Sequence, residues 1–413
     1  MKTNSNASTE ERITLTRLFF TLLKIGSVSW GGFMALISVL QKQFADKDRV
    51  IDNEEILDGI ALAGVLPGPM AFNVVTYIGY KLKGLKGAFV SMAGILIPSF
   101  ILMIILSYLY FSYGNIPAVN SFFKGIYPAI AAIILSVAIS MSKKNITDIY
   151  QFIIALSALL LIVFIKSFFI TMLVILSGGL AGYILYRNKT EDNSATTVHN
   201  KKPGNRVFLF LSILVLFIAL LVFLFPYLCN SSNHNFCLIQ QKISIIFSGL
   251  SVSLFGGGYV VIPMLENIFV QQLGWLSLKE FTDGIALGQV TPGPIFISAT
   301  FIGFKTGGFL GALNATLFIF VPPGLLMILF SHFIERIKHS SAIQAMFKGL
   351  RPAVIGMIFS AVYTIGKGSE IGWISLIIFS LVLILIMYYK INAVYMIPLA
   401  GITGIIFYQM IYS

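Results

Sequence analysis

The chain has 413 residues, of which 57% are hydrophobic and only 11% charged, and its formal net charge is +12. A soluble domain carries roughly 25% charged residues, so this chain has too few polar groups to cover a folded surface and must face lipid. That composition excludes an ordinary soluble enzyme. The basic excess reads as Lys and Arg retained in cytoplasmic loops during insertion, not as a nucleic-acid groove, because no basic stretch is interleaved with aromatics.

In chain order, the polar start from Met1 to Arg12 shows no cleavable signal pattern. Thirteen apolar segments follow, at 13–40, 58–80, 85–111, 117–142, 149–164, 168–186, 207–228, 243–265, 283–304, 309–333, 343–366, 371–388 and 391–411. A helix needs roughly 20 apolar residues to cross the hydrocarbon core, and two segments, 149–164 and 371–388, are marginal in length. Residues 187–206 are polar, carry five Lys and Arg and contain Pro203-Gly204, so they read as a flexible cytoplasmic linker. Four units are expected: a first repeat at 13–186, the linker at 187–206, an additional connecting helix at 207–228, and a second repeat at 240–411.

The repeat rests on rare residues in one order. Asp58-Gly59-Ile60-Ala61-Leu62 recurs as Asp283-Gly284-Ile285-Ala286-Leu287, and Pro67-Gly68-Pro69 recurs as Pro292-Gly293-Pro294. After a one-residue slip Gly84 matches Gly308, Pro98 matches Pro322, and Lys124-Gly125 with Pro128 matches Lys348-Gly349 with Pro352. Upstream, Gly31-Gly32 matches Gly256-Gly257. The single unmatched segment at 207–228 turns the second repeat upside down. The Lys and Arg pattern agrees: the turn at 112–116 carries none, whereas its C-half match carries Arg336 and Lys338. The expected fold is therefore all-α, a polytopic transmembrane bundle of two inverted-topology repeats with discontinuous helices. Arg12 and Arg17 place the N-terminus in the cytoplasm. This topology puts Lys42, Lys47 and Arg49 outside. If 13–44 and 54–82 are re-entrant hairpins instead, that loop moves inside and the inversion is kept.

The candidate site residues sit at the interruptions. A Pro-Gly-Pro triplet inside an apolar segment breaks it into two half-helices, and the second proline suits the start of a new helix. The amides of Met70, Ala71 and Phe72, and of Ile295, Phe296 and Ile297, then lack intrahelical partners. A helix N-terminus with free amides is an anion site, although a proline kink alone would give the same pattern. Asn73, Thr76, Ser298 and Thr300 follow the breaks and could donate to an oxyanion, or bond back to their own helices. Gly31, Gly32, Gly256, Gly257 and Gly258 form a second pair of interruptions, or a close helix contact. Lys124, Lys348 and Arg351 could line an anion path, or snorkel. Asp58, Asp283 and Glu266 are the candidates for ion coupling, with helix capping the alternative for the two aspartates and an interfacial position the alternative for Glu266.

Neither a metal nor a cofactor is expected, since His199, His234, His332 and His339 lack ligand spacing. Cys229 and Cys237 could pair or remain free thiols. No Walker A motif occurs, so transport would run on an ion gradient or the membrane potential. No nucleophile–base set marks an enzyme; a passive anion channel is the other class to weigh. Self-association is left open.

These residues resemble the chromate transporter family in its long, two-domain form. The resemblance rests on Asp58 to Pro69 with Tyr77-Ile78-Gly79-Tyr80, and on Phe255-Gly256-Gly257-Gly258-Tyr259-Val260-Val261-Ile262-Pro263 with Thr291-Pro292-Gly293-Pro294. It implies a multi-pass cell-membrane protein that moves chromate, usually outward, with sulfate as the natural look-alike. One departure is visible: where the family typically has Phe-Gly-Gly-Pro, this chain has Trp30-Gly31-Gly32-Phe33.

Overall fold

The computed structural model describes residues 13–29, 32–114, 116–165, 168–187, 234–253, 258–331, 340–368, 372–391 and 393–412. Among them all regular structure is helical. The connecting segment 207–228, most of the linker, Cys229, Gly31, Gly256 and Gly257 lie outside the described residues.

The elements match one for one between the halves. The N half has α1 (Leu15–Val28), α2 (Gly32–Leu40), a π-helix (Gln41–Lys47), α3 (Asn53–Val65), α4 (Met70–Tyr113), α5 (Pro117–Asn145), α6 (Ile149–Phe164) and α7 (Phe168–Tyr186). The C half answers with α8 (His234–Ser253), α9 (Val261–Glu266), a π-helix (Asn267–Gln272), α10 (Leu278–Val290), α11 (Ser298–Phe330), α12 (Ser341–Gly368), α13 (Trp373–Met387) and α14 (Ala393–Tyr412). Backbone angles repeat as well. Gly68 has φ +103 and Gly293 φ +106; Gly84 has φ +59 and Gly308 φ +61. These values lie where L side chains are strained, so glycine is required at each turn.

Five described helices are long and apolar enough to cross a membrane: α4, α5, α12, α11 and the part of α8 from Phe236 to Ser253. The shorter helices carry apolar side chains outward, such as Ile153, Leu156 and Leu160 on α6 and Leu376, Leu381 and Ile384 on α13. In a soluble protein such faces would be a liability; here they meet lipid chains.

The chain divides into two compact units that cut across the repeats. One contains Met1–Ile104, Thr196–Leu254 and Pro292–Lys338; the other contains Ile105–Ala195, Phe255–Thr291 and His339–Ser413.

In the first unit, short elements fold back on themselves. Arg17, at the start of α1, pairs with Asp48 beyond the first π-helix at 2.9 Å, so 15–48 is a hairpin with its tip near Gly32. The next segment does the same. Lys81 Nζ lies 3.6 Å from Glu55, and the Tyr77 ring lies against Gly59. Helix α3 and residues 70–82 are therefore antiparallel arms joined at Pro67-Gly68-Pro69. Each arm has 13 residues, about 20 Å, against roughly 30 Å of hydrocarbon. The hairpin arrangement brings Lys42, Lys47 and Arg49 to the end that carries Arg17 and Lys81.

Helix α4 also reverses, at Lys83 and Gly84, whose angles are not helical. A Cβ on Gly87 would stand 2.1 Å from the Gly79 carbonyl oxygen. In a continuous helix residues eight apart are about 12 Å apart, so 70–82 folds against 85–113. Gly303 and Gly311 make the same backbone approach across Gly307 and Gly308 in α11.

Candidate functional site

Both Pro-Gly-Pro triplets belong to the first unit, and both are seated the same way. A Cβ on Gly68 would stand 2.2 Å from Pro323 Cβ, and a Cβ on Gly293 would stand 2.2 Å from Ser99 Oγ. Pro323 and Ser99 are matched residues of the two halves. Each triplet of one half thus rests against the long second arm of the other. Ser99 lies 15 residues past Gly84, midway along residues 85–113. The two second arms meet nearby, where Gly324 touches Met92 and Phe72, and the Phe72 and Phe320 rings lie 5.1 Å apart.

The polar groups at the breaks are sorted by sign. Carbonyls at the ends of the first arms are capped: Asn73 Nδ2 donates to Pro67 O at 3.1 Å, and Ser99 Oγ donates to Pro292 O at 2.6 Å. The Gly293 amide donates to Ser29 O at 3.1 Å, which brings the end of α1 to the C-half triplet. On the other side of the N-half triplet the first bond of the new helix runs from Asn73 N to Pro69 O. The amides of Met70, Ala71 and Phe72 precede that bond, at the positive end of the arm. In the C half the helix opens with a 3-10 turn, Ile295–Ile297, and Ile297 N donates to Pro294 O at 3.0 Å. This corrects the expectation for Ile297, because the tighter turn reaches back one residue sooner. Two buried atoms at the tips, Asn73 Oδ1 and Ser29 Oγ, have no partner among the described residues.

The hydroxyls after the breaks are committed within the protein. Thr76 donates to Phe72 O at 2.9 Å. Thr300 and Thr316 share a hydrogen bond of 2.7 Å, and Thr316 itself donates to Ala312 O, so the proton between the two threonines comes from Thr300. Ser298 is buried as well. Gly32 opens α2, and Gly258 opens a 3-10 turn ahead of α9.

Lys124, Lys348 and Arg351 belong to the second unit. Lys124 Nζ lies 5.7 Å from the centre of the Tyr408 ring and Lys348 Nζ 5.6 Å from that of Tyr186. The Arg351 guanidinium lies 5.9 Å from the Phe347 ring, on an exposed residue. Cations over aromatic faces gain quadrupole attraction.

The acidic candidates differ from the capping picture. Helix α3 begins at Asn53 behind Asp52, and α10 begins at Leu278 behind Ser277, which forms a capping box with Glu280. Asp58 and Asp283 therefore lie in the second turn of each helix and cap neither; the polar turn ahead of the apolar run supplies the caps. Asp58 is half-buried, whereas Asp283 is fully buried in the second unit. There Tyr110 OH donates to Asp283 Oδ2 at 2.5 Å and Tyr127 OH to Oδ1. Lys279 Nζ stands 4.0 Å away and donates to Asn120 Oδ1 at 2.6 Å. Neither tyrosine was singled out in the sequence, because nothing local relates residues 156 or 173 positions from Asp283. Glu266 is also buried, and accepts from Gln271 Nε2 at 3.1 Å.

The family model described as chromate transporter matches residues 16–183 and 241–405. An uncharacterized transporter of Methanocaldococcus jannaschii is 28% identical over 408 residues, covering 98% of this chain and 97% of its own. The chromate transport protein of Pseudomonas aeruginosa is 29% identical over 348 residues, covering 83% and 79%. That of Cupriavidus metallidurans is 25% identical over 406 residues, covering 97% and 94%. No solved structure matches the chain. The apolar helices, the doubled pattern of breaks and a family match over both halves agree: this multi-pass membrane protein belongs to the chromate transporter family.

Proposed function

We propose that this protein is a secondary transporter that exports chromate, driven by an ion gradient or the membrane potential, with its anion site at the two Pro-Gly-Pro breaks. The observation that carries the reading is the reciprocal seating of Gly68 on Pro323 and of Gly293 beside Ser99, which holds both breaks in one compact unit. Relatives named chromate transport proteins supply the substrate class. A tetrahedral dianion at the breaks meets amide donors: Met70, Ala71 and Phe72 from one half, Ile295 and Phe296 from the other. Each helix N-terminus contributes up to about 2 kcal/mol in partly buried geometry. Donors of this kind select by charge and shape without burying a counter-charge, so the dianion can also leave. Asn73 and Ser99 hold the breaks open by capping carbonyls, and Lys124, Lys348 and Arg351 belong to the path and not to this site. The two repeats, 13–186 and 240–411, run inverted, with the N-terminus in the cytoplasm. The gathering of Arg17, Lys42, Lys47, Arg49 and Lys81 at one end supports that orientation.

The test is uptake of labelled chromate into everted membrane vesicles, with an imposed gradient or with ATP alone, against a panel of competing oxyanions. Gradient-driven, ATP-independent accumulation with chromate the strongest competitor is expected. Stronger competition by sulfate would reassign the substrate, and equilibration without accumulation would make the protein a passive channel.

A further inference from the structure

We propose that Ser29 is a ligand of the transported oxyanion, its hydroxyl donating to the anion at the C-half break. This inference deepens the proposed function and rests on it for the place of the anion. Ser29 closes α1, and both of its peptide groups are spent. Its amide donates to Ile25 O at 2.8 Å, and its carbonyl accepts from the Gly293 amide at 3.1 Å. The residue is therefore pinned between the end of α1 and the turn at Pro292-Gly293-Pro294, all within the first compact unit. Its side chain is not spent. Ser29 is 5% exposed, yet Oγ has no partner among the described residues.

A serine in a helix or at its end can spend its hydroxyl on the turn behind it. Ser27 does so two residues earlier, donating to Leu23 O at 2.8 Å, and Ser253 at the end of α8 does so to Gly249 O at 2.5 Å. Ser29 does not. Nor does the repeat call for a hydroxyl here: two residues ahead of Gly31 the N half has Ser29, and two residues ahead of Gly256 the C half has Leu254. Burying a hydroxyl without a partner costs stability, so its partner is to be sought outside the chain. The neighbouring groups say of what kind. The Gly293 amide is taken by Ser29 O and the Pro292 carbonyl by Ser99 Oγ. Pro294 has no N–H, and Ile297 N turns back to Pro294 O. The amides of Ile295 and Phe296 precede that bond, at the positive end of the second arm. A hydroxyl beside two such amides is a set of donors, and its complement is a group with several negative oxygens. Of the two orphan atoms at the tips, Ser29 Oγ carries a hydrogen and Asn73 Oδ1 does not. The amides grip from α11 and the hydroxyl from α1, so Ser29 fixes the orientation of an anion that the amides alone would leave free to turn.

The full-length protein gives two readouts: the rise in unfolding temperature on adding chromate to the purified protein, and the KM and maximal rate of chromate flux in proteoliposomes. Ser29→Ala removes an unpartnered hydroxyl, so without anion it should unfold at the temperature of the natural protein or above it. Its rise with chromate should be largely lost. Its KM should increase about tenfold or more, the worth of a hydrogen bond to a charged group, with the maximal rate changed less. Ser29→Thr keeps the hydroxyl and should retain part of both responses. Ser27→Ala, whose hydroxyl is spent on its own helix, should behave as the natural protein does. An unchanged KM with a full rise in Ser29→Ala overturns the proposal and leaves the hydroxyl holding a water only. Lower stability of Ser29→Ala without anion, or an equal loss of affinity in Ser27→Ala, overturns it as well. A natural protein that responds to sulfate or phosphate and not to chromate, with that response lost in Ser29→Ala, keeps the ligand and overturns the chromate reading instead. A response to none of the three anions overturns both.

Discussion

Gly68 and Gly293 have no side chain for two independent reasons, and each can be tested by adding one carbon. Their φ values of +103 and +106 are strained for any L residue, and a Cβ would collide with Pro323 in one case and Ser99 in the other. Backbone strain costs about 1–3 kcal/mol and overpacking a similar amount. Gly68→Ala and Gly293→Ala should each lower the unfolding temperature in detergent and each reduce chromate flux. Gly249 lies within α8 with nothing near its would-be Cβ among the described residues, so Gly249→Ala should be neutral or stabilising by up to about 1 kcal/mol. Equal stability of all three variants would show that the two turns do not need glycine.

At the scale of the element, the breaks were legible, and the reversals only as an alternative to straight crossings. Proline removes a backbone donor wherever it stands, so Pro67 and Pro292 announce interruptions in any context. Which way the chain goes after an interruption is decided by contacts such as Lys81 with Glu55 and Arg17 with Asp48, whose partners hydropathy does not name. The helix starts were misjudged for a related reason. A scan for apolar residues begins at Asp58, yet α3 begins at Asn53 with acidic residues in its first turn, which is why capping stood as the alternative for the two aspartates. If the breaks are the site, replacing all three residues of either triplet by alanine should join the arms, satisfy the amides internally and abolish chromate flux. Ala is a good helix former, so the amount of protein in the membrane should hold, and flux per molecule is the quantity to compare. Undiminished flux at normal expression would reduce both breaks to kinks.

For the whole molecule, the two halves match in order but mix in space. The carrier of that mixing is contact between residues far apart, as with Ser99 and Pro292 at 193 positions, and no local pattern encodes it. Inversion predicts that the turn at Lys83 and the turn after Lys305 open to opposite sides of the membrane. Single cysteines at these positions in a cysteine-free protein should be labelled by an impermeant maleimide from opposite faces. Labelling of both from one face would sink the inverted arrangement while leaving the matched breaks in place.

The bond from the Gly293 amide to the Ser29 carbonyl joins a residue made early by the ribosome to one made 264 residues later. Until then the tip of the first hairpin has neither that partner nor the Ser99–Pro292 bond beside it. Irregular backbone at membrane depth survives only when protein covers it, and arms of about 20 Å are too short to be left in lipid alone. The nascent first half must therefore wait, its long helices inserted and its short hairpins exposed to a chaperone or held at the membrane surface. Chains stalled before Gly293 should be cut by added protease between residues 29 and 69, whereas chains released after Lys338 should resist; resistance in both would mean that the first half is finished alone. Duplication has thus made the newborn half a dependent of its unborn sibling.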